Sequence, residues 1–162
     1  VILPDDLIHN EEESCVKQMV GVFDKYQASI IGTQTVDIEE SHKYGMIAGP
    51  EVEPGLARVD EIVEKPAPAE SPSDQAVVGR YILTPAIFEK LKKTERGAGG
   101  EIQLTDGIAA LRTQEQVYGY SFKGKRYDCG SKLGYLQATV ELALEHEELA
   151  GPFRDYLKQL DI

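Results

Sequence analysis

The stretch Val77-Val78-Gly79-Arg80-Tyr81-Ile82-Leu83-Thr84-Pro85 is a β-rich run that passes directly into the start of a helix. Val, Ile and Tyr favour strands, and a Thr followed by Pro is typical of the cap and first position of a helix. Further strands are predicted at 28–36 and 117–122, and further helices after Ser14 and around Asp106. This irregular alternation predicts an α/β fold with a mixed sheet and flanking helices.

The prediction also covers a hairpin, a long helix and the first residues. Residues 44–48 and 56–63 are β-rich and flank a Pro- and Gly-rich turn, which predicts an antiparallel hairpin over 44–63. Apolar spacing predicts a long helix over 132–149. Val1-Ile2-Leu3 predicts an interior strand, with no initiator Met before it. We therefore expect the 162 residues to form a single partial domain that lacks an N-terminal part.

Charge and cysteine content restrict the classes of function. The net charge of −11 argues against nucleic acid and anionic membranes as partners, because phosphate-rich surfaces select basic proteins. No apolar run approaches the ~18 residues of a membrane span, and no signal-peptide pattern appears, so we expect a cytoplasmic protein. Cys15 and Cys129 lie far apart without metal-ligand spacing, which argues against zinc and favours reduced thiols.

Carboxylates follow the first predicted strand and precede the long helix. Asp5 and Asp6 come directly after Val1-Ile2-Leu3-Pro4, and Asp128 lies four residues before the helix start at Lys132. A carboxylate at a strand end is a good ligand for Mg²⁺ that is shared with substrate phosphates. A solvated strand end, or a capping role for Asp128, explains the same residues, and the residues alone leave both interpretations open.

The sequence Glu64-Lys65-Pro66 also ends a predicted strand. Pro66 predicts an extended Lys65, which would hold the Lys and Glu side chains in opposite directions. A Lys at such a position can bind a phosphate as a compact charge, and a Glu can accept hydrogen bonds from sugar hydroxyls. A salt-bridged strand end is the alternative. Thr105 or Asp106, further along, is explained as an ordinary helix cap.

Taken in order, these segments and their neighbours resemble one family. The segments are Leu3-Pro4-Asp5, Tyr44-Gly45, Val63-Glu64-Lys65-Pro66, Val78-Gly79-Arg80-Tyr81, Gly99-Gly100-Glu101-Ile102-Gln103-Leu104-Thr105-Asp106 and the block from Lys123-Gly124-Lys125 through Asp128-Cys129-Gly130 to Tyr135. They closely resemble the bacterial UTP–glucose-1-phosphate uridylyltransferases, over almost the whole chain to about Leu160. The resemblance implies a Rossmann-like nucleotidylyltransferase fold. The Gly-rich nucleotide-binding motif of that family, expected about a hundred residues before Val1, is absent.

The resemblance also implies roles for individual residues. Asp5 and Asp128 would hold one Mg²⁺ between them, and Asp6 would stay outside the metal site. Lys65 would bind the phosphoryl group of glucose 1-phosphate. Glu64 would accept hydrogen bonds from the sugar, and Gly45 and Gly79 would let the backbone approach it. Glu101 would be an acidic neighbour of the pocket. These four residues would complete the substrate-binding set. Lys65, with Lys132 as second candidate, is expected to compensate the charge of the two metal carboxylates.

The implied reaction transfers UMP from UTP to glucose 1-phosphate and gives UDP-glucose and pyrophosphate. A phosphate oxygen of the sugar phosphate attacks the α-phosphorus of UTP, and catalysis is mostly positioning and electrostatics. Glucose 1-phosphate, UTP and UDP-glucose are thus the expected partners, Mg²⁺ is the expected cofactor, and the full-length protein is expected to be a homo-oligomer. The chain by itself is expected to be nearly inactive, because it lacks the triphosphate-binding motif.

Two other classes of function remain open at this point. Thymidylyl or adenylyl transfer is the alternative within the enzyme class, because base choice belongs to the absent motif. A non-catalytic sugar-phosphate-binding or oligomerisation module is the alternative outside it. The presence of both Asp5 and Asp128 argues against such a module, which has little need for a metal pair.

Overall fold

The computed structural model describes residues 1–97 and 100–160. Its strands, numbered in chain order, are β1 (Asp6–His9), β2 (Ser29–Thr35), β3 (Gly45–Ala48), β4 (Glu51–Glu53), β5 (Leu56–Arg58), β6 (Glu61–Glu64), β7 (Gln75–Ile82), β8 (Val117–Ser121) and β9 (Lys125–Asp128). Its helices are α1 (Cys15–Tyr26), α2 (Ala86–Leu91), α3 (Leu104–Leu111), α4 (Lys132–Glu145) and α5 (Ala150–Gln159), with 3₁₀ turns at Ile38–Lys43 and Pro68–Glu70. The predicted α/β class with a mixed sheet is confirmed.

Helices cover both faces of the main sheet. Its strand order is β4-β5-β8-β2-β7-β3-β6, and β2 runs parallel to β8 but antiparallel to β7. Ile30 and Ile31 of β2 are both fully buried, on opposite faces, because successive side chains of a strand alternate. Ile30 packs in a cluster with Met19 of α1. Ile31 packs in a second cluster with Ile87 of α2 and Ile108 of α3.

The predicted hairpin over 44–63 is present as a bent two-stranded ribbon, here called the crossing ribbon (residues 45–64). β3 pairs with β6 at its base, and β4 pairs with β5 at its tip. The N–H of Arg58 donates to the carbonyl of Pro50 at 2.9 Å between the two halves. The bend requires Gly49, because a Cβ there would overlap the Arg58 carbonyl. The base also pairs with β7 and the tip with β8, so the ribbon spans the sheet.

A second ribbon, formed by β1 and β9, was not predicted. The two strands are antiparallel, with Asp6 opposite Asp128 and His9 opposite Lys125. They join residues more than a hundred positions apart in the chain, a pairing that local sequence patterns do not reveal. The ribbon brings Asp5 next to the residues that precede α4, where the N–H of Cys129 donates to the Asp5 carbonyl at 2.7 Å.

The prediction of an interior strand at Val1–Leu3 is wrong. Ile2 forms only an isolated bridge to Arg80, and the N–H of Leu3 donates to the Gly79 carbonyl at 2.8 Å. Val1, Ile2 and Leu3 are 62%, 60% and 40% exposed. The segment pairs with β7 along one side, and no other part of residues 1–97 and 100–160 pairs with its second side.

The long helix predicted over 132–149 is present but shorter. α4 ends at Glu145, where His146 leaves the helical backbone, and α5 follows. Of the predicted apolar stripe, Ala138 is buried, whereas Leu133 and Leu136 are 67% and 58% exposed within the described residues. None of the helices in the described ranges is both long and apolar enough to cross a membrane.

Candidate functional site

A cleft of about 380 Å³ lies where the β1–β9 ribbon, β7 and the base of the crossing ribbon meet. Residues far apart in the sequence converge on it. Its lining includes all but one of the residues predicted for the site, namely Asp5, Gly45, Glu64, Lys65, Gly79 and Asp128. Five separate segments of the chain therefore supply the groups that the sequence placed in one site.

Asp5 and Asp128 both lie close to Gly130. A Cβ built on Gly130 would stand 3.1 Å from Oδ1 of Asp128 and 3.2 Å from Oδ2 of Asp5. Oδ1 of Asp128 also accepts a hydrogen bond from the Gly130 N–H at 3.1 Å. Within the described ranges neither carboxylate has a cation within 4 Å, so both remain open to a ligand.

Glu64 and Lys65 also line the cleft. Oε2 of Glu64 accepts a hydrogen bond from the hydroxyl of Thr105 at 2.6 Å, which fixes the carboxylate. The Lys65 ammonium lies 3.7 Å from Oε1 of Glu64 and is about half exposed. Lys65 therefore carries a solvated positive charge beside a fixed acceptor, an arrangement that suits a phosphorylated polyol.

The backbone at Lys65 differs from the prediction. Lys65 is not extended but has a φ of 47°, in the left-handed region that non-glycine residues rarely adopt. β6 ends at Glu64, while the Lys65 N–H still donates to the Tyr44 carbonyl at 2.9 Å, so the chain turns at Lys65 itself. Such a conformation costs about 1–3 kcal/mol and persists where the surrounding structure enforces it, which happens often at binding sites.

The two predicted glycines are explained by close packing inside the protein. A Cβ at Gly45 would stand 3.2 Å from the Thr105 hydroxyl and 3.3 Å from Oε2 of Glu64, so Gly45 leaves room for their hydrogen bond. A Cβ at Gly79 would stand 2.6 Å from Oδ2 of Asp6. The space that Gly79 leaves is thus occupied by a carboxylate of the chain itself, and the approach of its backbone to the sugar stays a prediction.

Glu101 is the predicted site residue that does not line the cleft. It is exposed, and its carbonyl accepts a hydrogen bond from the Gly97 N–H at 2.9 Å. Gly99, which opens the motif that contains Glu101, lies outside the described residues. The helix-cap prediction for Thr105 or Asp106 is also wrong, because α3 begins at Leu104 and the Thr105 hydroxyl binds Glu64 instead.

The sequence analysis missed a buried ion pair in the cleft wall. The side chains of Asp6 and Arg126 are 9% and 10% exposed and form a salt bridge through Nε of Arg126. Oδ2 of Asp6 accepts from the Gly79 N–H at 2.8 Å, and Arg126 donates to the Tyr44 hydroxyl at 3.4 Å. Burial opposes the charge of Arg126, but the bond to Tyr44 and the charge of Asp6 raise its pKa above the ordinary value. Local sequence gives no signal for this pair.

Two further cleft residues were not predicted. Burial raises the pKa of Tyr81 to about 12, and the charges of Glu64 and Asp6 add to this effect, so its phenol remains neutral. Lys43 is held by Glu40 at 2.6 Å. That hydrogen bond chiefly raises the pKa of Lys43, and the charge of Asp128 contributes to the shift. Lys43 is thus a cation near Asp128 that the sequence did not indicate.

The carboxylate pair fits Mg²⁺ better than a metal held wholly by protein. The described part of the chain has no group of three or more His, Cys, Asp and Glu side chains placed to hold a metal. Mg²⁺ is commonly bound by one or two carboxylates, with water and substrate phosphates completing its six positions. Asp5 and Asp128 supply two such oxygen donors, both close to Gly130.

Known proteins resemble this chain in both sequence and structure. The UTP–glucose-1-phosphate uridylyltransferase of Staphylococcus epidermidis is 41% identical over 162 residues, which is 100% of this chain and 56% of that protein. The enzyme of the same name from Pseudomonas aeruginosa is 49% identical over 140 residues, covering 86% of this chain and 50% of that protein. The chain thus spans about half the length of the curated relatives it matches.

Solved structures agree with these relatives. A UDP-glucose pyrophosphorylase complexed with UDP-glucose matches 90% of this chain and 56% of its own, with a TM-score of 0.87 and 44% identity. The UTP-bound UGPase from Acinetobacter baumannii matches 99% of this chain and 55% of its own, with a TM-score of 0.86 and 35% identity. The model of the nucleotidyl transferase family matches residues 1–145. With the fold, the cleft and the motifs in agreement, this chain belongs to the nucleotidyl transferase family.

Proposed function

We propose that this chain forms the sugar-phosphate-binding and metal-binding part of a UTP–glucose-1-phosphate uridylyltransferase. The whole enzyme would transfer UMP from UTP to glucose 1-phosphate, giving UDP-glucose and pyrophosphate. The observation that supports this most strongly is the convergence of Asp5, Asp128, Glu64 and Lys65 on one cleft. The relatives named uridylyltransferase, at 41% and 49% identity, support the choice of substrates.

The residues of the cleft divide the work of binding and orientation. Lys65 would offset the charge of the sugar phosphate, and Glu64, fixed by Thr105, would accept hydrogen bonds from sugar hydroxyls. Asp5 and Asp128 would hold Mg²⁺, which when bound offsets the charge that accumulates between two phosphates. The attacking phosphate is already ionised, so the reaction needs orientation and charge compensation rather than a proton acceptor.

The first test is turnover by a chimeric enzyme. In this chimera, the part of the Staphylococcus epidermidis relative that this chain does not match is fused to this chain. With UTP, glucose 1-phosphate and Mg²⁺, we expect the chimera to release pyrophosphate and form UDP-glucose. We expect the 162-residue chain alone to show almost no turnover, while calorimetry detects its binding of glucose 1-phosphate. The grafted part selects the nucleotide base, so the sugar is the feature that this chain recognises. Galactose 1-phosphate is therefore the matched control.

Three outcomes would contradict the proposal. Turnover by the chain alone at the rate of the chimera would show that the division of roles is wrong. Failure of the chain to bind glucose 1-phosphate, together with an inactive but folded chimera, would reject the function. Sugar-phosphate binding by the chain with a folded, inactive chimera would favour the non-catalytic module. A cytoplasmic location and a homo-oligomeric state stay predictions, and thymidylyl or adenylyl transfer stays the alternative within the enzyme class.

A further inference from the structure

Three carboxylates meet at one end of the β1–β9 ribbon, and they are not equivalent. Asp5, Asp6 and Asp128 all line the cleft. Asp6 and Asp128 are directly opposite each other in the register of the ribbon, and such cross-strand neighbours have Cβ atoms about 4.5–5.5 Å apart. Asp6 is therefore close enough to compete for any cation held by Asp128.

Although Asp6 lines the cleft, contacts within the protein occupy both of its carboxylate oxygens. One oxygen is paired with Nε of Arg126, and the other accepts from the Gly79 N–H at 2.8 Å. The Asp6 backbone carbonyl accepts from Arg80 as well. In the described part of the chain, Asp5 and Asp128 have no such ion pair, so two of the three carboxylates remain available.

Arg126 itself is held so that it cannot easily leave Asp6. Its guanidinium lies 5.1 Å from the centre of the Tyr44 ring and donates to the Tyr44 hydroxyl at 3.4 Å. Tyr44 in turn precedes Gly45 at the base of the crossing ribbon. An Arg that stacks on a ring and pairs with a carboxylate has a defined orientation, unlike a freely rotating exposed Arg.

We infer that Arg126 is a positioning residue that keeps Asp6 out of the metal site, so that Asp5 and Asp128 alone hold the cation. This inference rests on the metal pair in the proposed function. Two free carboxylates balance the charge of one divalent cation. A third would fill a coordination position that a substrate phosphate needs and would tighten the hold on the ion, because affinity rises with the number of charged ligands.

The test measures Mn²⁺ binding to the folded chain by the paramagnetic resonance signal of free Mn²⁺. Arg126→Met releases Asp6, and we expect its affinity for Mn²⁺ to rise by about threefold or more as a third carboxylate becomes available. The double variant Asp6→Asn with Arg126→Met should return to the wild-type affinity. The exposed pair of Arg58 and Asp60 is the matched control, and Arg58→Met should leave Mn²⁺ binding unchanged.

A purely structural role of the ion pair gives a different pattern. Damage to the ribbon would weaken Mn²⁺ binding in Arg126→Met, and the double variant would not restore it. That pattern, or equal affinity in wild type and Arg126→Met, would overturn the inference. If Arg126→Met does not fold by circular dichroism, Arg126→Gln removes the charge but keeps a donor near Asp6, and the same comparison applies to it.

Glucose 1-phosphate binding separates this inference from the proposed function. We expect Arg126→Met to weaken that binding about tenfold, because Arg126 also holds Tyr44 and, through Asp6, Gly79. Tighter Mn²⁺ binding together with weaker sugar-phosphate binding excludes general unfolding, because unfolding would weaken both. A wild-type chain that binds no glucose 1-phosphate would reject the proposed function, whereas the Mn²⁺ comparison among the variants would still decide the role of Arg126.

Discussion

Asp128→Asn is expected to lower the turnover of the chimeric enzyme by about a hundredfold or more, because one of two metal-binding carboxylates loses its charge. The amide can still accept the 3.1 Å hydrogen bond from the Gly130 N–H, so the turn before α4 should persist. Asp5→Asn should have a similar effect. The double variant should be little worse than either single variant, because each removes the same ion from the same step.

Initial rates of pyrophosphate release at increasing Mg²⁺ concentration test this expectation. The variants should require far more Mg²⁺ than the wild type, and their circular dichroism spectra should be unchanged. Asp24→Asn, at an exposed position of α1, is the control for loss of one negative charge. A folded Asp128→Asn chimera with the wild-type rate and Mg²⁺ requirement would reject the metal assignment for this residue.

Lys65→Ala is expected to weaken the binding of glucose 1-phosphate and slow transfer by about tenfold to hundredfold. A charge-assisted phosphate contact contributes roughly 1.5–3 kcal/mol, and the ammonium of Lys65 is the charge at the strand end that the cleft presents. Its weak pairing with Glu64, at 3.7 Å, offers little alternative use for that charge. Calorimetry on the chain and turnover of the chimera measure the two effects.

The unusual backbone of Lys65 requires its own control. Ala at a φ of 47° is as strained as Lys, whereas Gly adopts this conformation easily. Lys65→Gly should therefore lose sugar-phosphate binding like Lys65→Ala, although its backbone strain is relieved. Lys92→Ala removes an exposed Lys that is paired with Glu89, and it should change nothing. Wild-type binding in a folded Lys65→Gly variant would assign the phosphate contact to another residue.

The sequence predicted the parts of the fold that local patterns encode. Turn residues, β-rich runs and a helix cap predict three elements that the structure contains. These are β7, the hairpin over 44–63 and the start of α1 after Ser14. The β1–β9 ribbon could not be found in this way, because its partners are more than a hundred residues apart in the chain. The prediction of an interior strand at Val1–Leu3 was wrong because it depended on the apolar character of these residues. Apolar character does not show whether a second strand pairs with the segment.

The candidate site was predicted as a set of residues but not as an arrangement. Asp5, Glu64, Lys65 and Asp128 do line one cleft. The sequence could not indicate that Arg126 pairs with Asp6, because an ion pair across two strands leaves no mark in local spacing. Nor did it indicate that Lys65 turns in the left-handed region, since the general preference of residues before proline points the other way.

The crossing ribbon makes the rigidity of the cleft depend on residues outside it. Gly45 and Glu64 stand at its base, beside the cleft, while Leu56 at its tip lies opposite Tyr120 of β8. A two-stranded ribbon held at one end alone would bend easily, because an isolated hairpin is only marginally stable. Attachment at both ends limits that bending. The stiffness of the wall that carries Glu64 is therefore set in part at Leu56, at the opposite end of the ribbon.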